Sequence, residues 1–176
     1  RSSLVTGVQT CALPIWFRFE NTGGTWGLGD ATVSHGAVLA DLDRDGDLDL
    51  VVNNMNDPVG VYRNNSEDGS AILVSLNGIR SNRFGLDARI EVRLSNGQVL
   101  TRLVTSSRGY MSGAEPVAHF GLGAETSISS LSVLWPSGHR QDFSDLPANR
   151  HYRITEPSSD PAGTPALPEP SPLFEE

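Results

Sequence analysis

The chain has 176 residues, a net charge of -8 and a pI near 4.9, which argues against a nucleic-acid partner because such binding depends on clustered Lys and Arg. No apolar run approaches the roughly 20 residues of a membrane-spanning helix, so no transmembrane segment is predicted. The 18 glycines, 11 prolines and 38% hydrophobic residues are typical of a β-rich protein.

The first 15 residues are expected to be a non-native segment. Residues 5–15, Val5-Thr-Gly-Val-Gln-Thr-Cys-Ala-Leu-Pro-Ile15, resemble letter for letter the translation of a common sequencing adapter, and authentic protein is expected from about Trp16. The alternative is that these apolar residues belong to a secretion signal. Cys11, the sole cysteine, lies in this segment, so we predict no disulfide framework, thiol nucleophile or Cys-ligated zinc.

Residues 16–66 form the first predicted unit. Residues 17–19 alternate as a strand does, residues 21–30 are a glycine-rich loop, and short strands are predicted near 36–41, 49–53 and 60–64. Four short strands amount to about one blade of a β-propeller.

Five aspartates alternate around one glycine in the middle of this unit, at positions 41–49. Like charges about 4 Å apart cost about 4 kcal/mol each near a protein surface, so the spacing predicts a bound cation. Ca²⁺ suits such a site because it accepts six to eight oxygen ligands. Gly46 is predicted to supply the turn. The predicted side-chain ligands are Asp41, Asp43, Asp45 and Asp49, with Asp47 binding through its backbone carbonyl; the alternative is a solvated acidic turn without metal.

The surroundings of this loop distinguish it from an EF-hand. Val52 occupies the position where an EF-hand needs Glu, and the flanking residues indicate strands rather than helices. The run Ala40-Asp-Leu-Asp-Arg-Asp-Gly-Asp-Leu-Asp-Leu50, followed by Asn53-Asn54 and Tyr62-Arg-Asn-Asn65, resembles an FG-GAP/VCBS repeat. The resemblance implies a blade of a β-propeller. A single blade leaves its faces uncovered, so we expect a truncated propeller with neighbouring blades in the full-length chain.

Residues 70–156 are predicted to form a second domain, a small β-sandwich. Strand signals occupy 71–76, 88–94, 99–104, 116–120, 130–135, 140–143 and 151–155. The Asn96-Gly97 pair between the second and third of these strands predicts a two-residue hairpin turn. The fold class is therefore all-β, a truncated propeller blade followed by a sandwich.

Four motifs in this domain resemble the ASPIC/UnbV family. They are Gly78-Ile-Arg-Ser-Asn-Arg-Phe-Gly-Leu-Asp-Ala-Arg89, Arg108-Gly-Tyr-Met-Ser112, His119-Phe-Gly-Leu-Gly123 and Trp135-Pro-Ser-Gly138. The resemblance implies a secreted or surface protein in which this domain follows an FG-GAP-type propeller, as in the cartilage acidic protein-like family. It supplies no catalytic residue. The remaining residues, 157–176, are rich in proline and are predicted to be a disordered linker.

Candidate chemistry in the second domain is weak. His119 is interpreted as a structural residue that bonds the backbone, and Trp135 as a core residue rather than a sugar platform. Ser112, His119 and Asp142 can be arranged as a triad on paper, but no strained nucleophile turn accompanies them. Arg108, Tyr110 and Ser112 remain as candidate ligand-binding residues.

The sequence thus predicts a calcium-binding, non-catalytic binding or adhesion fragment of a secreted or cell-surface protein, with the periplasm or outer membrane as further locations. Its expected partner is a protein or a glycan. The alternative is the accessory region of a larger carbohydrate-active or tailoring enzyme whose catalytic part lies elsewhere.

Overall fold

The computed structural model describes residues 20–28, 32–66, 69–158 and 169–172. The adapter-like segment and the first predicted strand, at residues 17–19, lie outside the described residues. The chain divides into two compact units, Arg1–Ala31 and Thr32–Glu176. In the first unit the described residues form a turn, in which the backbone N–H groups of Thr25 and Trp26 both donate to the carbonyl oxygen of Thr22.

The second unit is built from strands. No helix occurs among the residues that the structure describes, so none there is long and apolar enough to cross a membrane. The all-β class is confirmed for this part of the chain. The strands are β1 Ser34–Ala40, β2 Asp49–Asn54, β3 Gly60–Tyr62, β4 Ser70–Asn77, β5 Arg89–Leu94, β6 Val99–Leu103, β7 Val117–Gly123, β8 Ser127–Leu134, β9 Arg140–Pro147, β10 Arg150–Thr155 and β11 Glu169–Pro172.

These strands form three sheets. One is the antiparallel β1–β3 sheet, in the order β1-β2-β3. The other two have the orders β11-β10-β4-β7 and β6-β5-β8-β9 and share one hydrophobic core, so together they make the sandwich. Within the sandwich β10 runs parallel to β4, whereas β4 and β7 are antiparallel.

The β1–β3 sheet contains the three strands predicted near residues 36–41, 49–53 and 60–64. The fourth strand of the expected propeller blade falls outside the described residues. The assignment of this sheet to a blade therefore stays a prediction.

The seven strands predicted for the sandwich are all present as β4–β10, but one turn differs. Leu94 N–H donates to the Gln98 carbonyl oxygen at 2.9 Å, and Gly97 N–H donates to the Leu94 carbonyl oxygen at 3.0 Å. The loop therefore has three residues and not two. Gly97 has a φ of 87°, whereas Asn96 keeps a negative φ and accepts a hydrogen bond from Gln98 N–H. A two-residue type I′ turn needs positive φ at both central positions, so this hairpin closes with a glycine bulge.

The core follows the alternation of the strands. Ile90, Val92 and Leu94 of β5 point inward, as alternate residues do. In β8 the buried positions skip from Ile128 to Leu131, because the pairing with β5 shifts by one residue between Arg93 and Leu94. This bulge returns the second half of β8 to the core face.

Four residues of the tail that was predicted to be a disordered linker form a strand. Glu169–Pro172 pairs with β10 as an antiparallel edge strand, with Pro170 opposite Tyr152. This pairing uses backbone groups of β10 that would otherwise face a sheet edge, and it does not depend on an apolar side-chain pattern. Proline is tolerated there because an edge strand has one side that bonds to no neighbour.

Candidate metal centre and its contacts with the sandwich

The predicted metal loop connects β1 to β2. Ala40 pairs with Asp49, so the loop leaves and re-enters the same hairpin. Gly46 has a φ of 93°, which confirms that it supplies the turn. Arg44 also has a positive φ, of 63°, which an L-residue adopts only at some energetic cost.

Three of the aspartates bring carboxylate oxygens together. One oxygen each from Asp41, Asp43 and Asp49 lies within 4.8 Å of the others. Two oxygens that each lie about 2.4 Å from one Ca²⁺ ion can be at most about 4.8 Å apart. The spacing of the three side chains therefore fits a single cation.

Backbone hydrogen bonds from the loop and from the segment after β3 hold two of these carboxylates in place. Asp49 is 2% exposed, and it accepts from Leu42 N–H at 3.0 Å and from Asn64 N–H at 2.8 Å. Asp41 Oδ2 accepts from Gly46 N–H at 3.1 Å. A carboxylate oxygen has two lone pairs, so these bonds leave each side chain able to bind a cation.

Two carboxylate oxygens in the loop are buried without a hydrogen-bond partner. They are Asp41 Oδ1 and Asp47 Oδ2. Burial, followed by the charge of Asp45, raises the pKa of Asp47, and the His119 ring partly offsets this rise. Buried oxygens of this kind are costly unless a donor or a cation satisfies them. Asp47, which was expected to act through its backbone carbonyl, thus also offers a side-chain oxygen.

Asp45 lies outside the three-residue group. Its Oδ1 accepts from Asp47 N–H at 3.0 Å, and its Oδ2 lies 3.6 Å from Arg63 Nη2. Arg63 Nε also lies 2.6 Å from Asp43 Oδ2, so this guanidinium partly neutralises the loop. The role of Arg63 was missed, although it belongs to the Tyr62-Arg-Asn-Asn65 segment that follows the aspartates in the resemblance.

Two polar contacts join the β1–β3 sheet to the sandwich. His119 Nε2 on β7 lies 3.0 Å from the Gly46 carbonyl oxygen, which confirms that His119 bonds the backbone. Because a carbonyl only accepts, Nε2 carries the proton in this contact. Ser112 Oγ accepts from Ala37 N–H at 3.1 Å and donates to the Tyr110 carbonyl oxygen at 2.8 Å. The hydroxyl of Ser112 is thus occupied in closing the loop against β1.

Of the other candidate ligand-binding residues, Arg108 lines a cavity and Tyr110 is exposed. Arg108 lines a cavity of about 340 Å³, together with His119 and apolar side chains such as Leu73. A second cavity, of about 540 Å³, is lined by residues of β1 and β2 and by residues 111–113. Tyr110 is 71% exposed at the tip of this loop.

Glu156 forms hydrogen bonds to two loops of the sandwich, and sequence reasoning missed it. Its carboxylate is 1% exposed and accepts from the backbone N–H groups of Ile79, Arg80 and Ser81 and from the hydroxyls of Ser81 and Ser137. Burial raises the pKa of this carboxyl, but the hydrogen bonds outweigh burial and lower the pKa to about 2. The residues next to Glu156 in the sequence form no pattern that indicates these hydrogen bonds.

The positions of Trp135 and Asp142 in the structure test two further interpretations of the sequence. Trp135 is 1% exposed and donates its indole N–H to Gln141 Oε1 at 2.6 Å, so it is a core residue. Asp142 bonds to Ser132 and Arg140 on the opposite sheet of the sandwich. Ser112, His119 and Asp142 are therefore not assembled as a triad.

Comparisons with known proteins match part of the chain. Residues 78–161 match the family model described as ASPIC and UnbV, which confirms that part of the predicted resemblance. Cartilage acidic protein 1 of Mus musculus and of Homo sapiens are each 34% identical over 106 residues, which is 58% of this chain and 16% of those proteins. The Xenopus tropicalis protein of the same name is 31% identical over 106 residues, again 16% of its length. The chain thus spans about one sixth of the length of the curated relatives that it matches.

One solved structure resembles the chain only distantly. It is the crystal structure of a candidate cell adhesion protein from Bacteroides ovatus, with a TM-score of 0.31 and 13% sequence identity. The alignment covers 80% of this chain and 62% of that one. A TM-score this low does not establish a shared fold.

Proposed function

We propose that the aspartate loop binds Ca²⁺ and that the chain is a non-catalytic binding or adhesion fragment of an extracellular or cell-surface protein. The observation that carries the proposal is the three-carboxylate cluster within 4.8 Å, next to buried oxygens of Asp41 and Asp47 that have no hydrogen-bond partner. In this proposal a cation satisfies those oxygens and offsets the repulsion between neighbouring aspartates.

The donor set favours calcium over other metals. The grouped side-chain donors are all carboxylate oxygens, which suit hard cations rather than transition metals. Mg²⁺ demands near-ideal octahedral geometry, whereas Ca²⁺ tolerates the irregular arrangement of a loop. When bound, the cation would supply charge neutralisation and rigidity, and no reaction is assigned to it.

Calcium titration of the whole chain tests this proposal. We expect heat of binding with a dissociation constant of about 0.1 to 1 mM, which millimolar external calcium would fill. Asp43→Ala should abolish most of this heat, because it removes one member of the cluster. Asp57→Ala is the matched control, since Asp57 is an exposed aspartate outside the loop and should bind as the unchanged chain does. Absence of calcium heat, or equal heat in Asp43→Ala, would refute the metal site.

The partner is proposed to be a protein or a glycan that contacts the exposed loop at Tyr110. An aromatic ring that is 71% exposed, next to the exposed Arg108, has the chemistry of a recognition surface. Val59 and Val61 are 58% and 59% exposed, which supports neighbouring blades against the β1–β3 sheet in the full-length protein. Screening the chain against glycans and extracellular proteins, with Tyr110→Ala beside it, tests the surface. Equal binding by Tyr110→Ala would remove Tyr110 from it.

A further inference from the structure

The contact between the β1–β3 sheet and the sandwich is loosely packed. Cavities of about 540 and 340 Å³ lie beside it. Leu39 lines the smaller cavity and is 53% exposed, so apolar burial there is incomplete. Hydrogen bonds of His119 and Ser112 therefore contribute to the positioning of the sheet.

One of these hydrogen bonds leads directly into the aspartate loop. Gly46 is buried, its N–H donates to Asp41 Oδ2 at 3.1 Å, and its carbonyl oxygen faces His119 Nε2 at 3.0 Å. A single residue thus connects a carboxylate of the metal cluster to the sandwich. A change in the backbone at Gly46 therefore alters both its bond to Asp41 and its bond to His119.

We propose that His119 is a positioning residue of the metal loop and that it couples cation binding to the docking of the β1–β3 sheet on the sandwich. This inference rests on the proposed calcium site. Without the cation, repulsion between the aspartates loosens the loop and weakens the contact between the Gly46 carbonyl oxygen and His119. With the cation, the loop is fixed and the sheet is held against β7. Ser112 supplies the second attachment, at Ala37.

Coupling of this kind is reciprocal, which makes it measurable from both sides. If calcium strengthens docking, then loss of the docking bond weakens calcium binding by the same factor. One hydrogen bond of ordinary strength corresponds to about a 3- to 10-fold change in the dissociation constant. His119→Phe, which keeps a ring but has no donor, should therefore weaken calcium binding by that factor, although His119 contributes no ligand atom to the cluster.

The experiment combines calcium titration with hydrogen–deuterium exchange of the full chain, with and without calcium. In the unchanged chain, calcium should slow exchange both in residues 41–49 and in residues 107–119. In His119→Phe, calcium should still slow exchange in residues 41–49 but no longer in 107–119. His151→Phe is the control, because His151 is also partly buried but bonds Ser75 Oγ at 3.0 Å instead of a backbone group of the aspartate loop. It should keep the calcium affinity within about 2-fold and leave the transmitted protection intact.

The outcomes separate the two proposals. No calcium heat in the unchanged chain overturns both. Calcium binding without protection of residues 107–119, or an unchanged calcium affinity in His119→Phe, overturns the coupling alone. Should His119→Phe fail to fold, Ser112→Ala carries the test, since it removes the bond to Ala37. It should reduce the calcium-dependent protection of residues 107–119, and full retention of that protection would refute the coupling.

Discussion

Glu156 is a carboxylate enclosed between two loops of the sandwich, and its replacement by glutamine tests how much it contributes to stability. Its Oε2 accepts from the N–H groups of Ile79 at 2.9 Å, Arg80 at 2.8 Å and Ser81 at 2.6 Å. Its Oε1 accepts from the hydroxyl of Ser137 at 2.6 Å. A glutamine presents an NH₂ group on one side, and that group cannot accept from any of these donors. Glu156→Gln therefore leaves donors unpaired in a buried site.

The magnitude follows from the pKa of the carboxyl. Hydrogen bonds outweigh burial and lower the pKa of Glu156 from an ordinary 4.5 to about 2. A lowering of about 2.5 pH units, at about 1.36 kcal/mol per unit, corresponds to about 3 kcal/mol of folding free energy from the ionised form. The same order is expected for breaking a buried charged network by removing one partner, about 3 to 5 kcal/mol.

Urea denaturation at several pH values measures this contribution. The folded pKa is depressed, so the stabilisation is present above about pH 4.5 and is lost as the pH falls toward about 2. The difference in unfolding free energy between the unchanged chain and Glu156→Gln should be about 3 kcal/mol at pH 7, and it should shrink by about 2 kcal/mol at pH 3.

Glu115→Gln is the matched control, because Glu115 is exposed and its replacement should change stability by less than about 0.5 kcal/mol. A difference below about 1 kcal/mol for Glu156→Gln at pH 7, or one that does not shrink at pH 3, would refute the reasoning.

Three further predictions concern the sandwich. Trp135→Phe removes the indole N–H that bonds Gln141 Oε1 in the core, and leaving that oxygen unpaired should lower the unfolding free energy in urea by about 1 to 3 kcal/mol. Gly85→Ala places a Cβ 2.6 Å from a leucine side chain, at a residue with a φ of 61°, so thermal denaturation should show a loss of more than about 2 kcal/mol. Burial lowers the pKa of His151, so its NMR titration should fall below 6.5, and the stability that its neutral form contributes should be lost as the pH falls through that lowered pKa.

Two controls accompany these predictions. Gly97→Ala also places a side chain at a positive φ, but nothing lies within 4 Å of its Cβ, so it should cost only about 1 kcal/mol. An equal loss in Gly85→Ala and Gly97→Ala would show that the close contact is not the cause. For Trp135, a fully retained urea midpoint in Trp135→Phe would contradict the core hydrogen bond.

The strands of the sandwich could be predicted from sequence because alternation is a local property. Each of β4–β10 lies within a few residues of its predicted position. The reason is that alternating apolar and polar residues can be recognised within a stretch of about four to eight residues. The position of the hairpin at Asn96-Gly97 was predicted correctly, but its turn type was not. A two-residue and a three-residue loop differ by one residue and have similar compositions. β11 could not be predicted, since its pairing depends on backbone groups of a strand far away.

The contacts that define the sites are long-range, and this limits sequence reasoning. The aspartate cluster could be predicted because Asp41, Asp43 and Asp49 lie within one loop. The bond between Gly46 and His119 spans 73 positions, and the bonds of Glu156 span up to 77. No spacing rule relates residues so far apart, so these partners emerge only when the sheets are assembled.

The same contacts change how the ASPIC/UnbV motifs are interpreted. Ser81 and Ser137 belong to two separate motifs, and both donate hydroxyl hydrogen bonds to one buried carboxylate. Trp135 lies in the core, and His119 bonds the backbone of the aspartate loop. These motif side chains are thus engaged in packing or in hydrogen bonds within the chain, where they fix loops and join the sheets. The proposed partner is expected to contact side chains that point outward, and among the motif residues the rings of Tyr110 and Phe84 are exposed. The bonded motif residues therefore stabilise this domain, while exposed residues such as Tyr110 are available to the proposed partner.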